Sequence, residues 1–163
     1  MKPALLIIDL QKAYYRGDTK VSMDKASYYI KSAIPLFRKK GLPIIWIQHI
    51  DEDDKAKPGE VGFEIIDALV PEPNDYRVRK MYGNSFNKTN LMEILEKEKI
   101  DTVLLTGFCA EYCVTSTYRG ALDKDLTPIL LKNGLASGNQ ENLKFVETIH
   151  DSISFNVLKR ILE

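Results

Sequence analysis

The chain is expected to fold as an α/β protein: a three-layer, doubly wound parallel sheet of six strands in the order 3-2-1-4-5-6, with helices on both faces. Three observations predict it. Strand-like apolar runs alternate with helix-like stretches along all 163 residues, the pattern of repeated βαβ units. The runs Leu5 to Ile8 and Val103 to Leu105 are unbroken, as strands are when helices cover both sheet faces. Thr102 to Gly107 then runs directly into an elbow, Phe108-Cys109-Ala110-Glu111-Tyr112-Cys113-Val114, that opens a helix.

Each element has its own signal. Ala4 to Asp9 reads as the first strand, and Met23 to Lys40 as a helix closed by Gly41. Pro43 to Gln48 is the second strand. Asp51 to Gly62 is charged, holds Pro58 and Gly59, and reads as a long surface loop. A short helix near Phe63 to Leu69 and a turn at Pro71 to Asn74 lead to a third strand, Tyr76 to Lys80. Thr89 to Lys97 is an amphipathic helix and Thr102 to Gly107 the fourth strand. After the cysteine helix come a strand at Thr127 to Leu131, a helix at Asn139 to His150 and a last strand at Ser152 to Leu158. No repeat, low-complexity tract or linker divides the chain, so residues 1–163 read as one domain.

Composition narrows the function. Lys plus Arg and Asp plus Glu each number 23, and no basic stripe is interleaved with aromatics, which argues against nucleic acid or an anionic membrane as partner. The apolar run Ala4 to Ile8 is too short for a signal-peptide core or a membrane span. Cys109 and Cys113 are the only cysteines, which is no secreted disulfide framework. With His49 and His150 the only histidines, a structural zinc site is not expected either. A cytoplasmic location follows as an expectation. Neither Gly-x-Gly-x-x-Gly nor Gly-x-x-x-x-Gly-Lys-Ser/Thr occurs, so nucleotide binding has no motif behind it.

In the expected strand order, the first and fourth strands are neighbours, and ligands bind at the switch point between their carboxyl ends. Asp9 ends the first strand and Cys113 follows the fourth. A thiol in the first turn of a helix gains thiolate character from free N–H groups and the helix dipole. Its bland alternative is a buried small hydrophobe. Cys109 reads as a packing residue in the elbow, with a redox pairing to Cys113 as a second option. Asp9 could simply cap the next element. As the end of a two-sided buried strand, however, it would be partly desolvated and a better base. Alternation along Arg77-Val78-Arg79-Lys80 puts Lys80 on the face of Val78, pointing inward. There its cation would lower the thiol pKa and hold Asp9 ionised. Thiol, base and orienting charge form an activated nucleophile.

On these residues the chain resembles the isochorismatase-like cysteine hydrolases, a family that includes nicotinamidases and N-carbamoylsarcosine amidases. The similar features are Leu5-Leu6-Ile7-Ile8-Asp9-Leu10-Gln11 with Tyr14, Lys80 followed by Ser85-Phe86 and Thr89-Asn90-Leu91, and Gly107 to Val114 with Thr117 and Ala121. They stand in the family's order over nearly the whole chain. The resemblance implies a catalytic triad of Asp9, Lys80 and Cys113. It also implies an oxyanion hole from the backbone N–H groups of Cys109 and Cys113, and a cis peptide bond between Phe108 and Cys109. Gln11, Tyr14 and Phe86 fall where the family lines its pocket, and Phe108 is grouped with them.

Departures from the family matter too. Metal-dependent nicotinamidases carry Asp-x-His and a further histidine after the second strand. Here Gln48-His49-Ile50-Asp51 supplies one histidine only, so no metal and no cofactor are expected, and nicotinamide recedes as substrate. True isochorismatases commonly lack the cysteine, so its presence favours acyl chemistry. The expectation is a hydrolase of a non-peptide C–N bond in a small amide or carbamoyl compound, forming a homo-oligomer as the family often does. Its rivals are a vinyl-ether hydrolase with an idle cysteine and a catalytically silent small-molecule binder.

Overall fold

A computed structural model describes residues 1–163. Its sheet has six parallel strands: β1 (Pro3–Ile8), β2 (Ile44–His49), β3 (Tyr76–Lys80), β4 (Thr102–Phe108), β5 (Thr127–Ala136) and β6 (Ser152–Ile153). They lie in the order β3-β2-β1-β4-β5-β6, with every pairing parallel. Five helices cover it: α1 (Gly17–Lys39), α2 (Leu91–Lys97), α3 (Thr115–Leu122), α4 (Gln140–Ile149) and α5 (Phe155–Leu162). No helix is long and apolar enough to cross a membrane.

The period of two along each strand sorts the core into two layers. Leu6, Ile8, Ile45, Ile47, Val78, Val103 and Leu105 pack beneath α2, α3 and α4. Leu5, Ile7, Ile44, Trp46 and Leu104 pack beneath α1 and α5. Both faces of β1 are thus buried, and a run such as Leu5-Leu6-Ile7-Ile8 loses no apolar area to water.

Four elements differ clearly from expectation. The strand expected to end at Leu131 runs on to Ala136, because after a register shift Leu135 and Ala136 pair with Gly107 and Phe108 of β4. The helix expected from Met23 starts at Gly17, with Asp18 in its first turn favourable to the dipole; the buried stripe begins only at Ser22, which hid the first turn. It does end as expected: Gly41, at φ +62°, lets its own N–H reach Arg38 O at 3.0 Å and the Leu42 N–H reach Phe37 O at 2.9 Å. The expected strand Ser152 to Leu158 is only two residues long, because Ser154 Oγ accepts from Val157 N–H and starts α5, which buries Leu158 and Leu162. The expected helix at Phe63 to Leu69 is a one-turn 3₁₀ segment, Val61–Phe63, followed by chain that bridges Gln11 through Ile65.

Candidate active site

The site lies over the carboxyl ends of β1 and β4. Asp9, the first residue past β1, is 2% exposed and sits at φ +50°, a left-handed conformation that aspartate tolerates better than most residues. Its N–H bonds Ile47 O at 2.9 Å, so the strand ladder anchors its backbone. Gly107 lets β4 approach β1. It pairs with Ile8, sits at φ +111°, and a Cβ there would lie 2.1 Å from Ile8 O. No other residue fits.

After β4, Cys109 leads into a π-helical turn, Ala110–Val114, which carries Cys113 and runs on into α3. Such wide turns are uncommon outside functional sites. The Cys109 carbonyl accepts from the N–H groups of Tyr112 and Val114, both at 3.1 Å, and so leaves the Cys113 N–H out of that pair. The Phe108–Cys109 peptide bond is cis.

Lys80 ends β3 with its side chain fully buried, on the face of Val78 as alternation requires. Its arm crosses the end of β2, where it stands in register with His49. Its Nζ lies 2.7 Å from Asp9 Oδ2 and 3.2 Å from Cys113 Sγ. It also contacts His49 Nδ1 at 3.0 Å and the Tyr82 carbonyl at 3.1 Å. Asp9, Lys80 and Cys113 are therefore brought together. The other oxygen of Asp9, Oδ1, is buried with no hydrogen-bond partner.

Burial dominates the electrostatics. It pushes the Asp9 carboxyl above its ordinary value, against the pull of Lys80. Burial and the neighbouring Asp9 charge push the Cys113 thiol up to about 12, and Lys80 offsets only part of this. The direction is opposite to the lowering expected from the helix terminus and Lys80, because burial outweighs both. Cys109 is likewise pushed up to about 12, by burial and then by Glu111, whose Oε2 accepts from its thiol at 3.0 Å. Both cysteines are free thiols. His49 is held below its usual value by burial and by Lys80.

A cavity of about 340 Å³ opens above these groups, lined by Asp9, Cys109 and Cys113, by Tyr14, Phe108 and Tyr112, and by Arg16, Thr19, His49, Asp51 and Asp54. Tyr14 and Phe108 pack against each other there, ring centres 5.4 Å apart. Two residues expected in the lining lie elsewhere. Gln11 is fully buried and bonds the backbone of His49 on both sides, through Nε2 to O at 2.9 Å and through Oε1 to N at 2.7 Å, pinning the end of β2. Phe86 is a core side chain of the α2–α3 layer, because Ser85 beside it is tied to Thr117 of α3 at 2.8 Å.

Six lining residues were not singled out from the sequence for this pocket: Arg16, Thr19, His49, Asp51, Asp54 and Tyr112. The available signal was position, since His49 ends the strand next to β1 and Asp51 follows it. Asp9, His49 and Cys113 offer an oxygen, a nitrogen and a sulfur within 4.8 Å of one another, a set that could hold a transition metal. The Lys80 ammonium already contacts an atom of each, so an ion would have to displace it.

A carboxylate, a buried lysine and a cysteine thus meet at the switch point of a parallel sheet, the place where ligands bind in such folds. The family model for the isochorismatase domain matches residues 3–148, and the chain belongs to the isochorismatase family of hydrolases. It is 35% identical over 123 residues to the uncharacterized isochorismatase family protein YrdC of Bacillus subtilis (strain 168), covering 72% of this chain and 65% of that protein. An isochorismatase-like hydrolase from Alkaliphilus metalliredigens superposes with a TM-score of 0.88 at 26% identity, each chain covered in full at 100%. N-carbamoylsarcosine amidase from Thermoplasma acidophilum superposes with a TM-score of 0.81 at 27% identity, covering 94% of this chain and 95% of that one.

Proposed function

We propose that the chain hydrolyses a non-peptide C–N bond of a small amide or carbamoyl compound through a thioester on Cys113. One observation carries the reading: the Lys80 ammonium touches both Asp9 and the Cys113 sulfur beneath the cavity, while Asp9 Oδ1 stays buried and unpaired. An orphan buried oxygen is costly unless it has a task. Here it is the acceptor for the thiol proton.

Asp9 takes that proton and the sulfur attacks the carbonyl carbon. Negative charge on the carbonyl oxygen is met by the N–H groups of Cys109 and Cys113, a type of contact worth about 3–4 kcal/mol in the transition state. As the C–N bond breaks, Asp9 returns its proton to the leaving nitrogen. It then deprotonates a water that attacks the thioester, and the departing sulfur recovers a proton from Asp9. Lys80 stabilises each anionic form in turn. With the thiol's proton so tightly held, the base is indispensable.

The named activity of the structurally similar Thermoplasma acidophilum amidase supports a C–N substrate. Two free thiols suit a reducing cytoplasm. The test is ammonia release from a panel of small primary amides, with and without exhaustive chelation. Release by the wild type, its loss in Cys113→Ala and indifference to chelation are expected. Ammonia release by Cys113→Ala at the wild-type rate would overturn the thioester route, and a wild type that releases none from any amide yet cleaves a vinyl ether equally well with and without Cys113 would overturn the C–N reading in favour of Asp9 as acid.

A further inference from the structure

The Lys80 ammonium has three hydrogens but four neighbours: Asp9 Oδ2 at 2.7 Å, His49 Nδ1 at 3.0 Å, Tyr82 O at 3.1 Å and Cys113 Sγ at 3.2 Å. A carboxylate and a carbonyl only accept. A ring nitrogen 3.0 Å from an ammonium must also accept, because a proton on it would face the cation. These three are the better acceptors and use the three hydrogens, leaving the thiol proton for Asp9. His49 is thereby fixed in one tautomer, with Nδ1 bare and Nε2 protonated. Burial and the adjacent cation keep the ring neutral.

With Nδ1 taken by Lys80, Nε2 is the ring nitrogen left for the cavity that His49 lines, and it is not among the buried unpartnered atoms. The surrounding charges restrict what it meets there. Asp9 is paired with Lys80, and Asp54 with Arg16 at 2.8 Å. Asp51 has no cation, and its Oδ1 accepts only from the N–H groups of Asp53 and Asp54, at 3.0 and 3.3 Å. The wall near His49 therefore carries an unmatched negative charge, which disfavours an anionic group at that spot.

Resting on the amide-hydrolase reading, we propose that His49 Nε2–H is a specificity-determining donor that selects amides carrying a second, uncharged acceptor, a ketone or amide oxygen, beside the scissile carbonyl. An amide lacking that oxygen covers the donor without pairing it, which is how sites built to hydrogen-bond a substrate discriminate.

Two probes differ only in the relevant oxygen: acetoacetamide and butanamide. In Cys113→Ala protein labelled with ¹⁵N-histidine, and with His49→Gln to assign the signals, the His49 ring should show a bare Nδ1 and a protonated Nε2 at neutral pH. Acetoacetamide should move the Nε2 signal and butanamide should not. A ring protonated on Nδ1, or an Nε2 signal that responds to neither or to both probes alike, overturns the proposal. In turnover, the wild-type preference for acetoacetamide should fall about tenfold in His49→Ala, mainly through KM. His49→Gln, which keeps an N–H donor on its amide, should recover most of it. The two readings fail separately. Hydrolysis that survives Cys113→Ala breaks the thioester route, whereas Cys113-dependent hydrolysis with an unresponsive Nε2 breaks only the role of His49.

Discussion

Two buried carboxylates flank strand β3 and its neighbours, one at each end of the sheet, and they are furnished in opposite ways. Asp75, just before β3, gathers donors on one oxygen: Arg38 at 3.0 Å, the Trp46 indole at 2.8 Å and the Glu72 N–H at 2.8 Å. Asp9, at the carboxyl end, has Lys80 on one oxygen and nothing on the other. The first is a strut, its Oδ2 saturated by three donors. The second is held in a state the fold alone would not choose, because burial without full hydrogen bonding is unfavourable. On the amide-hydrolase reading, a lysine and an aspartate at the two ends of one short strand separate what chemistry needs from what stability needs.

The widest gap between the two ends should open at the thiol. Cys113→Ala is expected to lower amide hydrolysis by about 10⁴-fold or more, since the nucleophile has no substitute. Half-buried and replaced by a smaller apolar group, it should leave the denaturation midpoint nearly unchanged. Equal losses of activity and stability would mean that the cysteine is core filler.

Lys80→Met tests the ion pair itself. Removing one partner of a buried pair strands the other, at a cost of about 3–5 kcal/mol. Asp9 can relieve part of this by taking up a proton. The double variant Asp9→Asn/Lys80→Met should therefore be more stable than Lys80→Met alone, and urea denaturation of the wild type, Asp9→Asn, Lys80→Met and the double variant would show it. Additive losses would mean the two groups are not coupled.

The pH dependence sharpens the comparison further. Burial holds Asp9 above its ordinary value of 3.8, and the base must be unprotonated to act. The acid limb of kcat/KM should lie above the ordinary carboxylate range of about 4. Stability runs the other way. A raised folded-state pKa contributes stability that is full below the unfolded value and is lost as pH rises through the folded one. The protein should gain activity over the same interval in which this group's contribution to stability fades. An acid limb at the ordinary carboxylate value would contradict the dominance of burial at Asp9.

Much of this was legible before any coordinates, for reasons that differ by residue. Asp9, Lys80 and Cys113 announce themselves because each breaks a local pattern: a charge closing an apolar run, a lysine in phase with a valine, a cysteine just past a strand and glycine. Strand order followed from the alternation of elements and the unbroken runs. Side-chain direction past the end of a strand was not legible. Gln11 looked like a pocket residue yet turns back onto the His49 backbone, because Asp9 at φ +50° has already redirected the chain. Arg16 and Asp54 meet across 38 positions of sequence, a pairing no local pattern encodes. The raised thiol pKa of Cys113 is not legible in its position at the start of a helix, because the burial that outweighs the dipole and Lys80 is set by the tertiary fold.

The smallest effect is expected at the saturated carboxylate. In Asp75→Asn the amide oxygen can take the place of Oδ2 and keep all three donors, with the NH₂ turned outward. Only the charge opposite Arg38 is lost. That guanidinium also pairs with Glu72 at 2.6 Å and is 30% exposed, so water screens the loss. Asp75→Asn should therefore cost about 1 kcal/mol, whereas Asp75→Ala, which strands the indole N–H and the guanidinium together, should cost about 3 kcal/mol. Neither should change kcat/KM by more than about twofold, because the strut stands at the opposite end of β3 from the thiol and touches nothing in the cavity. Urea denaturation and the amide assay on the same preparations check both halves. A tenfold loss of activity in a fully folded Asp75→Asn protein would show that the two ends of β3 are mechanically coupled, and that the division between strut and catalyst is drawn in the wrong place.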